Sequence, residues 1–329
     1  MQQMLQLEVL KLLADGEIHP EKELVKSFNL SGSILSKYIY KLRKLEIEVE
    51  FINGQGYRLS RPIDFLSPQK IFNELKTSMA GRIHRLDVFP ELDSTNTYLL
   101  SAPIPDLGQM TVCLAEHQTS GRGRRGKQWS TPFGGGLCLS VGWLFDEIPQ
   151  NLSALSLSVA VVVRRVIGEL IGFYPLVKWP NDLVWKDQKL GGVLIESSSG
   201  HDSALHVVVG IGINVSIDPT WLKKICDWPK GAIDVNSIGK GKIMKNKLAS
   251  RLVEDLYETL ESYGTCGFEL HHEEFIAANY LKDREVVLSN GSSSLSGTVI
   301  AVDLDGALIL ETASGAHRVI SGEVSLRPS

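Results

Sequence analysis

Three strand-like segments near the middle of the chain follow one another with only short polar breaks between them. They are VKWPNDLVW, KLGGVLIES and LHVVVGIGINV, with predicted turns at Asp187-Gln188 and from Ser199 to Asp202. Parallel strands need a crossover of a dozen or more residues, and these breaks are far shorter. The segments therefore predict an antiparallel meander rather than a series of β-α-β units.

The sequence before the meander supplies further elements for the same sheet. The strand-like segments are VFPELDS, MTVCLAEHQ and LCLSVGWLF, and a helix is predicted from about Asn151 to Ile171. Helices packed against a mixed sheet are typical of an α/β domain. We expect a central mixed-sheet α/β domain at residues 63–275.

Residues 1–62 have the pattern of three helices followed by a hairpin. Apolar residues recur at helical spacing up to Gly16, a second short helix follows Pro20, and Ser33 to Leu45 predicts a third. The alternating segment IEVEFINGQGYRL surrounds Asn53-Gly54, which is a strong hairpin signal. This order predicts a winged helix-turn-helix.

The polar face of the third predicted helix carries basic residues and no acidic one. The candidate DNA-contacting residues on it are Ser33, Lys37, Tyr40, Lys41 and Lys44. A helix in the major groove could place such cations against phosphates. Residues 1–60 contain eight acidic and eight basic residues, so a winged helix that binds another protein is the alternative.

Residues 276–329 contain four or five short strands separated by Asn-Gly, Asp-Gly and Ser-Gly turns. Closely spaced short strands with such turns predict a small SH3-like β-barrel. The proline-containing segment SRPIDFLSP is predicted to link the first two domains. The expected fold class is thus multidomain α+β.

Composition limits the classes of function. The chain has 329 residues, 43% of them hydrophobic, and a net charge of −4, which excludes general coating of nucleic acid. Its four cysteines have no CxxC spacing, which favours a reducing compartment over a zinc or disulfide framework. No segment resembles a signal peptide or a membrane span, so we expect a soluble cytoplasmic protein without a membrane partner.

The segment Gly121–Gly126, GRGRRG, matches the dinucleotide-binding pattern in its letters alone. That pattern must open a helix, whereas KQWSTPFGGG follows here and is rich in helix breakers. A long glycine loop is therefore predicted, with Arg122, Arg124, Arg125 and Lys127 able to bind a polyanion such as a triphosphate. A solvated basic surface loop is the alternative.

Two further clusters carry charges that suit a nucleotide. Lys178 and Asp182 flank a proline in KWPND, where a strand tolerates proline only at an edge or a bulge. Lys178 could neutralise phosphate charge and Asp182 could hold Mg²⁺, directly or through water. A surface salt bridge between the two is the alternative. Lys189, before Gly191-Gly192, is predicted to stabilise charge.

Polar residues with less specific signals complete the candidate set. Ser94-Thr95-Asn96 could cap a helix or could bind a ureido or amide group through matched donors and acceptors. Asn214 ends the glycine-containing strand GIGIN, where a bulge or close packing explains the glycines as well as a ligand does.

The motifs LDSTN, QTSGRGRRGKQW, KWPNDL, KLGGVLIE and GIGINV occur in this order between a winged helix and a small barrel. With these motifs in this order, the chain resembles the bacterial bifunctional biotin protein ligases that also repress the biotin operon. The resemblance covers nearly the whole chain, and it implies a class II synthetase-like ligase domain. It also implies formation of biotinyl-5′-AMP from biotin and ATP with Mg²⁺, then biotin transfer to a protein lysine.

The resemblance further implies roles for individual residues. Biotin would be bound by Ser94, Thr95, Asn96, Gln118, Arg122, Gly123, Arg124 and Lys189. ATP and the adenylate would be bound by Arg122, Arg124, Lys127, Trp129, Lys178 and Asn214, and Asp182 would take Mg²⁺. Arg124, Lys178 and Lys189 would serve catalysis. Either Trp221 or Trp228 would stack on the adenine.

The implied partners are the biotin carboxyl carrier protein of acetyl-CoA carboxylase, operator DNA and a second copy of the chain when ligand is bound. Two alternatives remain. One is a ligand-sensing transcription factor with an inactive ligase-like domain, and the other is a lipoate-type ligase. The full set Arg122, Arg124, Lys178, Asp182 and Lys189 argues against the sensor. The flanking domains argue against the lipoate ligase.

Overall fold

A computed structural model describes residues 2–45, 47–199, 203–223, 228, 230–239, 243–290 and 293–326. The predicted turn from Ser199 to Asp202 ends outside these residues. None of the described helices combines the length and apolar character that a membrane crossing requires.

The N-terminal unit contains three helices and a two-stranded antiparallel hairpin. Its elements are α1 (Gln2–Leu13), α2 (Glu21–Ser27), α3 (Gly32–Lys44), β1 (Val49–Ile52) and β2 (Gly56–Leu59). The side chain of Ser31 caps α3 by accepting a hydrogen bond from the Ile34 amide. The inward face of α3 is apolar and buried at Leu35, Tyr38, Ile39 and Leu42. Gly56 is needed in the hairpin, because a Cβ there would collide with the His19 carbonyl.

The central domain is a seven-stranded mixed sheet with helices. Its strands are β3 (Ile83–Phe89), β4 (Met110–Ala115), β5 (Gly136–Phe145), β6 (Leu176–Lys178), β7 (Asp182–Trp185), β8 (Gln188–Ser199) and β9 (Leu205–Asn214). Its helices are α4 (Pro68–Glu74), α5 (Thr95–Ser101), α6 (Leu155–Ile171), α7 (Pro219–Leu222), α8 (Val235–Ile238), α9 (Lys245–Cys266) and α10 (Glu269–Ala278).

The strand order in this sheet is β3-β4-β5-β9-β8-β7-β6. Strands β7, β8 and β9 pair in antiparallel fashion one after another, which confirms the predicted meander. Only β3 and β4 pair in parallel among the described pairs. The turn between β7 and β8 is centred one residue earlier than predicted, because Lys186 and Asp187 both adopt the left-handed conformation.

The two faces of the sheet are covered differently. Helices α6 and α9 pack together on one face and bury a continuous apolar core. The other face carries the short helix α5, which packs on β4, β5 and β9. Because α5 is short, part of this second face stays uncovered beside it, next to β8 and β9. The candidate site lies there.

The C-terminal unit is a five-stranded antiparallel sheet. Its strands are β10 (Glu285–Asn290), β11 (Ser293–Val302), β12 (Leu308–Thr312), β13 (Gly315–Val319) and β14 (Glu323–Leu326). The order is β13-β12-β11-β10-β14, with β13 and β14 at opposite edges of the described sheet. The five strands agree with the sequence pattern, and closure into an SH3-like barrel stays a prediction.

A buried ion pair joins the linker to the central domain. The Lys245 ammonium contacts Glu116, and both side chains are almost fully buried. The other Glu116 carboxylate oxygen accepts a hydrogen bond from the Leu66 amide of the linker, and the Asp64 carboxylate accepts one from the Lys245 amide. The linker is thereby fixed to the first turn of α9.

Candidate functional site

The glycine-rich segment Gly121–Gly126 folds back on itself instead of opening a helix. The Gly123 amide donates to the Lys127 carbonyl at 2.7 Å, and the Trp129 amide donates to the Gly121 carbonyl at 2.9 Å. The only helical feature described there is a single 3-10 turn over Arg124–Gly126. The prediction of a loop in place of a dinucleotide-binding turn is confirmed.

The segment Ser94-Thr95-Asn96 forms the first turn of α5. The Ser94 hydroxyl accepts from the Thr97 amide, so the capping interpretation is correct for this residue. The Thr95 amide and hydroxyl both donate to Gln118 Oε1, at 2.8 and 3.0 Å. Predicted residues from two distant motifs thus meet in one buried polar cluster.

Two residues that sequence reasoning missed complete this cluster. The Ser140 hydroxyl on β5 lies 2.7 Å from Thr95 Oγ1 and 2.6 Å from Asn96 Oδ1. The Glu196 carboxylate on β8 accepts from Asn96 Nδ2 at 2.8 Å and from Arg122 Nη2 at 2.7 Å. Ser140 is the single polar residue of its strand, and that isolation was the available signal. Glu196 is followed by three serines on β8 and carried no such signal.

Glycines on β9 make room for this cluster. A Cβ on Gly210 would lie 2.3 Å from Asn96 Oδ1, and one on Gly212 would lie 2.4 Å from the Trp129 ring. Real Cβ atoms do not approach other atoms so closely, so both positions require glycine. The glycines therefore serve close packing of Asn96 and Trp129, and β9 keeps an unshifted register there.

The charged cluster adjoins the polar one on the same sheet face. Lys189 Nζ lies 2.7 Å from Asp182 Oδ1 and 6.0 Å from the centre of the Trp129 ring. A Cβ on Gly192 would lie 3.1 Å from the same Asp182 oxygen, so Gly192 leaves room for this pair. Asp182 and Lys178 are cross-strand neighbours at the turn between β6 and β7, which contains the cis Trp179-Pro180 bond.

Burial makes Lys178 an unusual lysine. Desolvation lowers its pKa to about 8, Asp182 opposes this shift, and the nearby positive charge of Lys189 adds to it. The ammonium lies 4.1 Å from the centre of the Trp228 ring, and Trp228 also lies 5.7 Å from Lys189 Nζ. A cation held in a dry site gains strongly from an anionic ligand.

The two candidate tryptophans for adenine stacking lie in different places. Trp228 lies over the lysines of the charged cluster, whereas Trp221 packs with Ile217 and Leu222. Trp221 also lines a cleft of about 570 Å³ between the N-terminal unit and the central domain. This cleft is separate from the charged cluster, so position favours Trp228.

The other loop cations lie at the border of the site. The pKa of Arg124 is lowered by burial and by Arg125, and the nearby Asp182 carboxylate opposes that shift. Lys127 Nζ lies 3.1 Å from Glu323 on β14, and Arg125 donates to the Ser289 carbonyl on β10. Arg124 thus lies within electrostatic range of Asp182, while the other two contact the C-terminal sheet.

Asn214 is buried at the end of β9. Its Nδ2 lies 3.3 Å from the Lys189 carbonyl and 3.2 Å from the Ile233 carbonyl. Its Oδ1 is buried without a hydrogen-bond partner in the described part of the chain. Asn214 therefore braces the backbone of Lys189.

The candidate residues for DNA lie apart from this site, on the exposed face of α3. They are Ser33, Lys37, Tyr40, Lys41 and Lys44. Lys44 Nζ lies 4.9 Å from the centre of the Tyr40 ring.

Comparison with known proteins agrees with this arrangement. The bifunctional ligase/repressor BirA of Salmonella typhimurium is 34% identical over 321 residues, which make up 98% of this chain and 97% of the relative. The chain belongs to the biotin protein ligase family. The protein of the same name from Escherichia coli is 33% identical over the same shares of the two chains.

Family models match two parts of this biotin protein ligase. The biotin/lipoate A/B protein ligase family matches residues 88–214, and the biotin protein ligase C terminal domain matches residues 283–327. The structure of an Aquifex aeolicus biotin protein ligase in complex with biotin and ATP superposes with a TM-score of 0.60 at 26% identity, covering 75% of this chain and all of that one. The central mixed sheet and the C-terminal β domain are thus those of the family.

Proposed function

We propose that the chain is an ATP-dependent biotin protein ligase, which forms biotinyl-5′-AMP and transfers biotin to an acceptor lysine. One observation carries the proposal. Lys189 contacts the Asp182 carboxylate, which also acts electrostatically on Lys178 and Arg124. This charged cluster adjoins the polar cluster that contains Asn96. Cations for phosphates and hydrogen-bonding groups for an organic acid therefore adjoin each other.

Biotin is assigned to the polar cluster. Its ureido head offers two N–H donors and one carbonyl acceptor, which suit hydroxyl and amide side chains. The residues assigned to biotin are Ser94, Thr95, Asn96, Gln118, Arg122, Gly123, Arg124 and Lys189. The Ser94 hydroxyl already caps α5, so its part is to hold the turn that presents Thr95 and Asn96.

ATP is assigned to the charged cluster. The residues assigned to it are Arg122, Arg124, Lys127, Trp129, Lys178 and Asn214. Trp129 flanks the site from the loop, and Asn214 acts by bracing Lys189. Lys127 would exchange its contact with Glu323 for a phosphate.

The residues present fit a magnesium ion that arrives with the nucleotide. No group of three or more His, Cys, Asp or Glu side chains in the described ranges could hold a metal alone. Mg²⁺ commonly binds through one or two carboxylates together with substrate phosphates. Asp182 supplies such a carboxylate, and its Oδ1 is buried. Bound Mg²⁺ would neutralise phosphate charge.

Catalysis of the first step rests on positioning and charge. The biotin carboxylate attacks the α-phosphorus of ATP, an oxygen–phosphorus bond forms, and pyrophosphate leaves. Lys189, Lys178 and Arg124 stabilise the charge that develops around the phosphorus. The biotin carboxylate is itself the nucleophile, so no covalent enzyme intermediate is needed.

The second step uses the stored mixed anhydride. The amine of an acceptor lysine attacks the biotinyl carbonyl, an amide forms, and AMP leaves with the bonding electrons. We assign the acceptor to the biotin carboxyl carrier protein of acetyl-CoA carboxylase. The glycine loop would order over the adenylate and protect it from water until the acceptor arrives.

The transfer step has a direct test. The chain is incubated with biotin, ATP, Mg²⁺ and purified carboxyl carrier domain, and biotin on the domain is detected by streptavidin blotting and mass spectrometry. The expected result is one biotin per domain, lost when the acceptor lysine is changed to arginine. An unmodified domain would favour the inactive sensor, and lipoyl transfer alone would favour the lipoate ligase.

We further propose that the chain represses transcription of biotin synthesis genes, with biotinyl-AMP as corepressor. Support comes from the exposed cations on α3, from the hairpin that follows, and from relatives named as ligase/repressors. In this proposal residues 1–62 form the DNA-binding domain, 63–275 the catalytic domain and 276–329 the C-terminal domain. A liganded homodimer would place two α3 helices on two operator half-sites.

Repression is tested by fluorescence anisotropy with biotin-operon promoter DNA. We expect tight binding only with biotinyl-AMP, and a salt slope lower by about 2 in the variant K37A/K41A, since each lost phosphate contact removes roughly one unit. Lys282→Ala, an exposed lysine near the C-terminal sheet, is the matched control. Equal binding with and without biotinyl-AMP would contradict the corepressor role.

A further inference from the structure

Glu196 joins the two parts of the site that touch biotin in the proposed function. Its single oxygen Oε2 accepts from Asn96 Nδ2 at 2.8 Å and from Arg122 Nη2 at 2.7 Å. The three residues come from β8, α5 and the glycine loop. We propose that Glu196 is a positioning residue that sets biotin affinity by fixing both Asn96 and Arg122, and this inference rests on the proposed function.

The first effect concerns the direction of the Asn96 amide. An amide presents an acceptor on one side and donors on the other, and only its partners determine which side faces a ligand. Glu196 can only accept from Nδ2, and the Ser140 hydroxyl donates to Oδ1 at 2.6 Å. The two partners together define one orientation, so the ureido group meets a fixed pattern of donors and acceptors.

The second effect concerns the first half of the loop. Arg122 is anchored to the sheet through Glu196, whereas Lys127 and Arg125 anchor the second half to the C-terminal sheet. The Arg122 side chain remains 40% exposed, so the guanidinium is held in place and still accessible. The anchor therefore reduces the conformational entropy that the Arg122 side chain would lose when biotin binds.

The charge of Glu196 would oppose an anionic ligand if it stood alone. Pairing with Arg122 neutralises it, and a charge-assisted hydrogen bond is stronger than one between neutral groups. Both bonds would already exist before the ligand arrives. Glu196 would thus preorganise the biotin half of the site, and the charged cluster around Asp182 would be independent of it.

The test uses the full chain and the variants Glu196→Gln and Glu196→Ala. We expect Glu196→Ala to raise the KM for biotin in adenylate formation by about 10- to 100-fold, since a buried donor loses its partner. The kcat and the KM for ATP should stay within about threefold of wild type. Glu196→Gln, which keeps an acceptor for Asn96 but no charge for Arg122, should raise the KM for biotin less than Glu196→Ala does.

A double-mutant cycle separates positioning from general stability. Asn96→Ala alone should weaken biotin binding, and the variant N96A/E196A should bind biotin more tightly than two independent losses predict. Titration calorimetry with biotin provides this readout without turnover. Glu169→Ala is the matched control. Glu169 on α6 forms a surface ion pair with Arg251 on α9, and its length of 2.7 Å equals that of the pair between Glu196 and Arg122.

Failure of this inference is distinguishable from failure of the proposed function. If wild type binds biotin and forms the adenylate, but both Glu196 variants keep the wild-type Kd and KM for biotin, this inference is overturned and the proposed function stands. The inference is also overturned if kcat falls, and the KM for ATP rises, by as large a factor as the KM for biotin rises. A wild-type chain that neither binds nor adenylates biotin would overturn both.

Discussion

Lys189 and Asp182 form a close ion pair across strands β8 and β7, with 2.7 Å between Nζ and Oδ1. The pair lies on the open face of the sheet, beside Trp129 and Lys178. The contact orients the Lys189 ammonium, and the Asp182 carboxylate is also the group assigned to a metal that would arrive with the nucleotide. The assignment of the α-phosphate to this point depends on that geometry.

Replacing Lys189 by alanine should nearly abolish adenylate formation. We expect kcat to fall by about 100- to 1,000-fold, the usual cost of removing one donor that stabilises transition-state charge. The measurement is the rate of pyrophosphate release at saturating biotin and ATP.

A nearby lysine serves as the control for that experiment. Lys186 lies in the turn before β8 and is exposed, 6.0 Å from the Trp185 ring centre. Lys186→Ala should keep kcat within about twofold, because exposed side chains away from a site contribute little. An equal loss in both variants would remove the specific role assigned to Lys189.

The affinity for ATP should fall as the pH rises past 8. Lys178 has a pKa of about 8 because of burial, and phosphates bind its protonated form. The charged form is lost above that pH, so the KM for ATP should increase between pH 7 and pH 9.5. Lys178→Arg, which stays protonated, should give a flatter profile. A wild-type KM that is constant over this range would contradict the prediction.

Gly212→Ala should disturb the site through Trp129. The new methyl group would lie 2.4 Å from the indole ring, so the ring must move off β9. We expect the KM for ATP to rise by about tenfold, because Trp129 is assigned to the nucleotide and such overpacking costs about 1–3 kcal/mol. Gly264→Ala in α9 is the control, because a Cβ there would lie an ordinary 3.6 Å from the Phe145 ring and alanine favours the helix.

Lys245→Met should destabilise the chain strongly. The change leaves the Glu116 carboxylate buried without its cation, which costs about 3–5 kcal/mol of unfolding free energy in comparable cases. Urea unfolding followed by tryptophan fluorescence provides the value. Lys11→Met removes the exposed pair with Glu8 and should cost less than about 1 kcal/mol. Similar values for both variants would show that burial does not govern the effect.

The sequence predicted most strands of the central sheet because apolar runs and turn residues are local signals. Two predictions were inaccurate: VFPELDS is strand only at the end of β3, and VKWPNDLVW contains the two strands β6 and β7. The meander of β7, β8 and β9 follows from breaks too short for a crossover. Local signals also placed the loop at Gly121–Gly126, since the residues after it cannot form a helix. The roles proposed for Lys178, Asp182 and Lys189 rest on charge beside proline or glycine.

The partners of these residues were not predictable in the same way. Glu196 meets Asn96 across 100 residues of chain and Arg122 across 74, and Lys127 meets Glu323 in another domain. Such contacts depend on strand register and on the docking of the C-terminal sheet, which no local pattern encodes. The glycines of β9 were noticed, but their cause, the packing of Asn96 and Trp129, appears only in three dimensions.

Formation of biotinyl-AMP tests the central claim most directly. The purified chain is mixed with Mg²⁺, ATP labelled at the α-phosphate, and either biotin or lipoate, and the products are separated by thin-layer chromatography. With biotin we expect labelled biotinyl-AMP and release of unlabelled pyrophosphate. With lipoate at the same concentration we expect no labelled adenylate. Label that remains in ATP with biotin, or an adenylate that forms with lipoate alone, would contradict the account.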